Sequence, residues 1–314
     1  MRFVSPPATL SPRPHLIGLT KAVINEGVHV ADTDGALATA VLSRVPELAS
    51  WPAWYAPPRL LANGHVHTVL AAKLRRTRAV RYHRLSVPTP DGGTLAVDLL
   101  AGIRRKTQRD PAPSLVLSGG LVAGAEEDTL RGDTLFVNEP PPRDASRPLL
   151  LLASGLGGGS QDSYVRSMAC TAAERGWQVA VVNMRACGGS AVTSPRLFSA
   201  YRGANDDLRL AVRHLRKTRL RGGARVAAVG WSNSGTILNN VLAEQASTHA
   251  ADEAARIDAA AACGAPLNMP ASSANLRRPF HRQVYDRNLG RSLRSLWAAA
   301  REECAEIAAG ILSR

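Results

Sequence analysis

Aromatic residues are scarce in this sequence, at 4% of the chain, so aliphatic and alanine side chains must fill most of its core. No stretch reaches the roughly 18 apolar residues without a charge that a membrane-spanning helix needs. The sequence therefore predicts no transmembrane segment. The compartment stays open between the cytoplasm and a membrane surface.

Cysteines are also few, and they lie far apart. Cys170, Cys187, Cys263 and Cys304 show no CxxC spacing, which argues against a zinc site and against a disulfide framework. We expect four free, buried thiols in a reducing compartment. No other motif implies a metal or an organic cofactor.

Acidic residues are missing from the start of the chain, where the first is Glu26. Together with Arg13 and Lys21, this composition is typical of a transit peptide, but a disordered tail has it too. We expect residues 1–50 to form a partly disordered tail, followed by one domain over residues 51–314.

Acidic residues are also few in the whole chain, where 25 of them stand against 39 basic residues and give a formal net charge of +14. Such an excess attracts anionic partners, either nucleic acid or a lipid surface. The arginines are mostly scattered, with no zinc-finger spacing and no aromatic-interleaved RNA-binding pattern. We therefore expect no nucleic-acid partner and keep an anionic membrane surface as a candidate, beside the plainer explanation of a basic solvated surface.

From residue 148 onwards, apolar runs alternate with helical patterns. Continuous apolar runs of about five residues are typical of strands buried on both faces. Their alternation with helices predicts an α/β fold with a mostly parallel sheet and helices on both faces. Upstream, two alternating segments around the turn signal at 91–93 predict an N-terminal antiparallel hairpin. The predicted strands are 81–87, 94–100, 149–153, 178–182, 225–229 and 258–263.

Two further segments differ from this alternating pattern in composition. Residues 103–147 are rich in charge, proline and glycine, which predicts an irregular and exposed surface insertion. Residues 268–314 predict a lid-like helical segment that contains a helix from Ser292 to Ile311.

The central motif is Gly230-Trp231-Ser232-Asn233-Ser234-Gly235, between a predicted buried strand and a predicted helix. A nucleophile elbow needs this context, because a sharp turn lifts the serine above the strand end and small neighbours avoid clashes. The motif predicts Ser232 as a nucleophile. Ser234 departs mildly from the G-x-S-x-G pattern, and a plain strand-to-helix turn capped by Ser232 is the alternative.

A glycine-rich loop, residues 154–160, follows the first predicted parallel strand. In an α/β hydrolase this loop supplies half of the oxyanion hole, so the backbone N–H groups of Leu156 and Asn233 are the candidate oxyanion donors. The loop also fits a simple turn or a dinucleotide-binding fold, where Arg185 would meet a 2′-phosphate. Its glycines form GxGxG without a GxGxxG, and a dinucleotide site leaves the motif at Ser232 unexplained.

With these motifs the sequence resembles the AB hydrolase 4 family of α/β hydrolases, the embryogenesis-associated and yeast medium-chain esterase relatives. The resemblance runs from about residue 52 to 300, outside the insertion. It implies an α/β-hydrolase fold and a serine hydrolase of carboxylic esters, acting on acylglycerol, phospholipid or medium-chain acyl esters. The matching segments are 63–68, 87–93, 155–160, 164–166, 183–190, 193–197, 207–209 and the motif at Ser232.

The resemblance also has departures. His67 stands where the family usually has glutamine, and Ser234 where it has glycine. The family's catalytic aspartate and histidine lie on loops beyond the matched region, whereas 82 residues follow Ser232 here. We therefore expect a C-terminally truncated chain in which the last strands and the acid and base of the triad are absent. The local candidates for these two roles are Asp252, Asp258, Asp286, His249 and His281.

Three functions are consistent with these patterns. The first is a serine ester hydrolase, as the resemblance implies, although the chain as it stands is expected to have little activity. The second is a catalytically inactive homologue that binds acyl chains in the same pocket. The third is a basic, membrane-associated protein.

Overall fold

The computed structural model of the chain divides into two compact units, Met1–Arg75 and Arg76–Arg314. The predicted tail of residues 1–50 lies largely outside the described residues, and its boundary stays a prediction. The structure describes residues 22–23, 36–45, 54–55, 63–74, 77–104, 130–131, 133–198, 202–221, 223–247 and 252–312.

The first unit contains two helices and an antiparallel strand pair among its described residues. Helix α2 begins after Asn63, whose side-chain oxygen accepts hydrogen bonds from the backbone N–H groups of His65, at 2.9 Å, and Val66, at 3.3 Å. Asparagine at this position satisfies N–H groups that the first helical turn leaves without a partner. The elements are β1 (Ala22–Val23), α1 (Ala36–Arg44), β2 (Trp54–Tyr55) and α2 (Gly64–Leu74).

The described residues of the second unit build an eight-stranded mixed sheet in the order β10-β9-β7-β8-β4-β3-β6-β5. Neighbouring strands from β10 to β8 run parallel, and β4 joins β8 in the antiparallel sense. The strands are β3 (Val80–Pro88), β4 (Thr94–Ile103), β5 (Leu130–Arg131), β6 (Thr134–Phe136), β7 (Leu149–Ala153), β8 (Gln178–Val182), β9 (Val226–Trp231) and β10 (Ala259–Cys263).

Helices cover both faces of this sheet, as the sequence predicted. Strand β7 shows the reason, because its side chains alternate between two cores. Leu149 and Leu151 pack with residues of α4 and α5, whereas Leu150 and Leu152 pack with residues of α3. The helices are α3 (Ser163–Glu174), α4 (Arg202–Arg219) and α5 (Asn233–Ser247). The α/β fold with a mostly parallel sheet and the β3–β4 hairpin is therefore confirmed.

The segment 103–147 differs from the prediction at its end. Strand β6 pairs in parallel with β3, and Thr134 is fully buried, so this part extends the sheet and is not an irregular loop. Phe136 anchors it, because its ring packs against that of Tyr82 at 6.4 Å and lies under the Arg84 guanidinium at 4.6 Å. Residues 105–129 of the predicted insertion lie outside the described residues.

The C-terminal segment is helical, as predicted, although its role as a lid stays a prediction. Helix α8 packs through Ala300 and Cys304 against Ala186. The helix predicted from Ser292 to Ile311 is part of α8, which begins one turn earlier. The elements are α6 (Met269–Leu276), α7 (Pro279–His281), a π-helical turn (Arg282–Asp286) and α8 (Arg287–Leu312). Among the described helices, none combines the length and hydrophobicity that crossing a membrane requires.

A buried arginine joins three separate parts of the second unit. Arg185, with 5% of its side chain exposed, donates to Asp91 at 2.6 Å and, through two N–H groups, to Asp207 at 2.7 Å. It therefore ties the turn of the β3–β4 hairpin to the loop after β8 and to α4. Because two carboxylates already hold its guanidinium, Arg185 is not free for the nucleotide phosphate considered above.

The carboxylate of Asp91 should stabilise the second unit in a pH-dependent way, and its removal should abolish this contribution. Burial alone would raise the pKa of Asp91, but hydrogen bonds from Arg185 and Thr89 hold that pKa well below its ordinary value. The stabilisation is thus complete above the ordinary pKa of about 3.9, and it is lost as the pH falls towards the lower folded-state pKa. In urea unfolding, Asp91→Asn should cost about 2 kcal/mol at neutral pH. The cost should be about 1 kcal/mol smaller at pH 3, and a constant or growing difference would contradict this assignment.

Candidate active site

Ser232 occupies the single position between β9 and α5. Its φ angle is +51°, in the left-handed region that side-chain-bearing residues rarely adopt. Its N–H donates to the carbonyl oxygen of Cys263 at 2.9 Å, and its own carbonyl accepts from the N–H of Thr236 at 3.2 Å. The turn therefore places Ser232 at the carboxyl ends of the parallel strands, as the sequence predicted, and at the amino-terminal end of α5, where the helix dipole favours negative charge.

Small residues around Ser232 allow this sharp turn. A Cβ atom on Gly230 would lie 2.6 Å from the carbonyl oxygen of Ser234, and one on Gly235 would lie 2.9 Å from Cβ of Ala265. Ser234, which stands where the family has glycine, is buried, and its hydroxyl donates to the carbonyl oxygen of Ser154. The structure therefore has room for serine at this position, and the Ser234 hydroxyl adds a hydrogen bond between the elbow and the end of β7.

The glycine loop lies against the elbow. A Cβ built on Gly155 would be 3.5 Å from Cβ of Ser232, so glycine allows the loop to approach the candidate nucleophile closely. The N–H of Gly158 donates to the carbonyl of Gly155 at 3.0 Å. In the described part of the chain, the N–H groups of Leu156 and Asn233 have no hydrogen-bond acceptor, which leaves both of them available to an oxyanion.

A tyrosine–aspartate pair fixes the same loop from below. Tyr164 accepts a hydrogen bond from the N–H of Gly155 at 2.9 Å and donates to Asp162 at 2.9 Å. Asp162 also accepts from the N–H of Gly159 at 3.2 Å. Burial raises the pKa of Asp162 despite these bonds, and burial likewise raises the pKa of Tyr164. Sequence reasoning gave neither residue a role, although both directly follow the glycine loop.

The far end of the glycine loop rests on a buried charge. Asp98 on β4 is completely buried and receives two hydrogen bonds from Arg84, at 2.7 and 2.8 Å. It also accepts from the Ser160 hydroxyl at 2.6 Å and from the Asn183 amide at 2.7 Å, while Asn183 accepts from the N–H of Ser160 at 3.0 Å. One carboxylate therefore holds the glycine loop, the end of β8 and the β3–β4 hairpin together.

Neutralising this carboxylate should destabilise the second unit strongly. Asp98→Asn leaves the Arg84 guanidinium, only 23% exposed, without its countercharge, and breaking such a pair from one side costs about 3 kcal/mol or more. Urea unfolding measures this cost directly. The matched control is Asp206→Asn, since the Asp206 side chain is 63% exposed and its ion pair contributes about 0.5 kcal/mol or less. Equal losses in the two variants would show that the Asp98 network is not a strong constraint.

Among the described residues, none of the histidines and aspartates predicted as triad candidates forms a hydrogen bond with Ser232. In this part of the chain, the Ser232 hydroxyl has no hydrogen bond to a histidine or to any other group. His281 contacts the carbonyl of Asn275 at 3.0 Å, and His249 lies outside the described residues. Asp252 and Asp258 form ion pairs with arginines of α4. The acid and the base of a triad therefore stay unassigned.

A small apolar cavity lies beside the elbow. Its walls include Ser234 and Met184, and the sulfur of Met184 is 3.7 Å from the side-chain nitrogen of Asn233. Its volume of about 40 Å³ accommodates a few water molecules but not an acyl chain. An acyl substrate would therefore have to occupy the space above Ser232. The other walls are formed by Leu95, Ala153, Val182, Arg185, Arg196, Leu197, Phe198, Ala204, Asp207, Leu208 and Ile237.

The strand order, together with a serine turn that faces a glycine loop, defines an α/β hydrolase. No family model matches the chain. Among curated proteins, it is 29% identical over 76% of its length to the embryogenesis-associated protein EMB8 of Picea glauca. It is 29% identical over 65% of its length to a monoacylglycerol lipase of Saccharomyces cerevisiae, and 32% identical over 48% to phospholipase ABHD3 of Mus musculus. The chain is thus similar in sequence to abhydrolase proteins, as its motifs indicated, and its strand order is that of the α/β-hydrolase fold.

These matches cover only part of each relative, so the activity of the whole relative does not follow for this chain. The matched stretches cover 43%, 45% and 35% of the three relatives, so the chain spans less than half of each. Among solved structures, the esterase Pf2001 of Pyrococcus furiosus matches 69% of this chain and 63% of its own. Its TM-score is 0.41 at 13% identity, and the fold assignment therefore depends on the strand order described above.

Proposed function

We propose that this chain carries the nucleophile and the oxyanion-binding groups of a serine hydrolase of carboxylic esters. The observation that carries the proposal is the left-handed backbone of Ser232 at a strand-to-helix turn against Gly155. A residue held in a rarely populated conformation points to function when the surrounding structure enforces it. The lipase, phospholipase and esterase names of the relatives support the same reaction class.

The proposed chemistry is acyl transfer to water. The Ser232 hydroxyl oxygen attacks the ester carbonyl carbon, and the N–H groups of Leu156 and Asn233 donate to the oxyanion that forms. Collapse of the tetrahedral intermediate expels the alcohol and leaves an acyl-serine, which water then hydrolyses. A base must accept the serine proton and return it to the leaving alcohol, and the proposal assigns this role to no described residue. The reaction requires neither a metal nor an organic cofactor.

For the substrate we propose an acylglycerol, a phospholipid or a medium-chain acyl ester. One relative is named a monoacylglycerol lipase, another a phospholipase and a third a medium-chain fatty acid ethyl ester synthase/esterase. The second candidate function, acyl binding without turnover, is favoured by one observation. The Ser232 hydroxyl has no base within hydrogen-bonding distance among the described residues.

The chain of 314 residues should hydrolyse short-chain nitrophenyl esters slowly at best. Without a positioned base, oxyanion and binding contributions alone leave an acceleration of roughly 10³–10⁴ over water. Added imidazole supplies a base from solution, and it should raise the rate in a way that depends on Ser232. The measurement is initial rate against imidazole concentration for the wild type and for Ser232→Ala, with the exposed Ser167→Ala as a matched control.

The outcomes of this experiment separate the candidate functions. After subtraction of the hydrolysis that imidazole causes without protein, a rate increase that is present in the wild type and in Ser167→Ala, but absent in Ser232→Ala, supports the hydrolase. Fast turnover without imidazole that Ser232→Ala abolishes also supports it, and would show that a histidine of this chain reaches the serine. Identical rates for all three proteins at every imidazole concentration would overturn the hydrolase proposal and leave acyl binding.

A further inference from the structure

The segment from residue 267 to residue 301 exposes apolar side chains in a way that the rest of the second unit does not. In the described part of that unit, every large hydrophobic side chain that is exposed lies in this segment. Their exposed fractions range from 42% to 77%. Soluble domains rarely expose such side chains close together without an interaction partner. The residues are Leu267, Met269, Phe280, Leu289 and Trp297.

The same segment is strongly basic. It contains seven arginines and a single carboxylate, Asp286, which gives a formal net charge of +6. The arginines at 287, 291 and 294 are exposed and form no ion pair with a described carboxylate, whereas Arg301 pairs with Glu302 at 3.7 Å. The charge is therefore available to an external anion.

Helix α8 gathers part of this charge into one stripe. Arg287, Arg291 and Arg294 follow one another at spacings of four and three residues, and such residues share one face of a helix. That face points away from the side on which Ala300 and Cys304 are buried against the loop after β8. Trp297 lies at the border between the two faces, with 56% of its side chain exposed.

We propose that this basic surface, formed by the arginine stripe of α8 and bordered by Trp297, docks onto an anionic lipid surface. Guanidinium groups bind lipid phosphates, and tryptophan with neighbouring apolar side chains favours the boundary between headgroups and acyl chains. A nucleic acid would also account for the arginines, and duplex RNA is therefore a competing probe in the test below. The docking surface does not require Ser232 to be a nucleophile.

The position of α8 gives this docking a consequence for the candidate site. Leu296 and Ser292 lie over the glycine loop, at 3.0 and 3.5 Å from a Cβ built on Gly157. The helix that carries the arginine stripe therefore also covers the loop beside Ser232. A lipid surface bound to the outer face of α8 would lie on the same side of the molecule as the elbow.

The test is binding of the full chain to lipid vesicles, measured by flotation. Vesicles of phosphatidylcholine mixed with phosphatidylglycerol should bind the chain, vesicles of phosphatidylcholine alone should bind it little, and salt should weaken binding. Replacing Arg287, Arg291 and Arg294 by glutamine should reduce partitioning at least about tenfold. A shift of tryptophan emission to shorter wavelength should accompany binding and shrink in Trp297→Phe.

The matched control removes the same charge from the opposite end of the sheet. Arg81, Arg175 and Arg221 are exposed there, and their replacement by glutamine should leave vesicle binding within about twofold of the wild type. Urea unfolding establishes that both triple variants are folded. Trp297→Phe keeps the test decisive if the stripe variant does not fold.

Three results would overturn the proposal. The first is equal binding to neutral and anionic vesicles, and the second is an equal loss of binding in the two triple variants. The third is a preference for duplex RNA or for self-association over anionic vesicles, because it would make a nucleic acid or a second copy of the chain the occupant of this surface. Binding that needs anionic lipid, the arginine stripe and low salt supports the proposal.

Discussion

The buried ion pair between Arg84 and Asp98 is the constraint on which the candidate site depends. A carboxylate without solvent contact is tolerated only because Arg84, Ser160 and Asn183 all donate to it. Through these donors, the hairpin at one side of the sheet determines where the glycine loop ends. Tyr164 holds the beginning of the same loop, so its backbone N–H groups are fixed before any substrate arrives.

Local patterns predicted the parts of the molecule whose structure is determined locally. Continuous apolar runs gave the parallel strands, and the residues around Ser232 gave the strand-to-helix turn, because a sharp turn needs small residues at fixed spacing. The catalytic role of Ser232 and the oxyanion roles of Leu156 and Asn233 stay predictions, since the geometry is compatible with them but does not test them.

Long-range contacts explain what the sequence did not predict. Asp98 looks like a lone acid in an apolar strand, and its partners are between 14 and 85 residues away along the chain. Strand β6 is three residues long, and it forms because Phe136 packs against Tyr82 across the sheet. The contact of Leu296 with the glycine loop likewise joins segments separated by more than a hundred residues, and periodicity carries no information about such pairs.

The left-handed backbone conformation of Ser232 creates a conflict between the stability of the fold and the proposed reactivity. At φ = +51° the backbone conformation costs a serine roughly 1 kcal/mol more than it costs a glycine. Losing the side chain of Ser232 would therefore relieve backbone strain, but the proposed chemistry requires that side chain. Stabilising substitutions should accordingly be sought away from this turn, because the elbow is the place where greater stability and the proposed activity exclude each other.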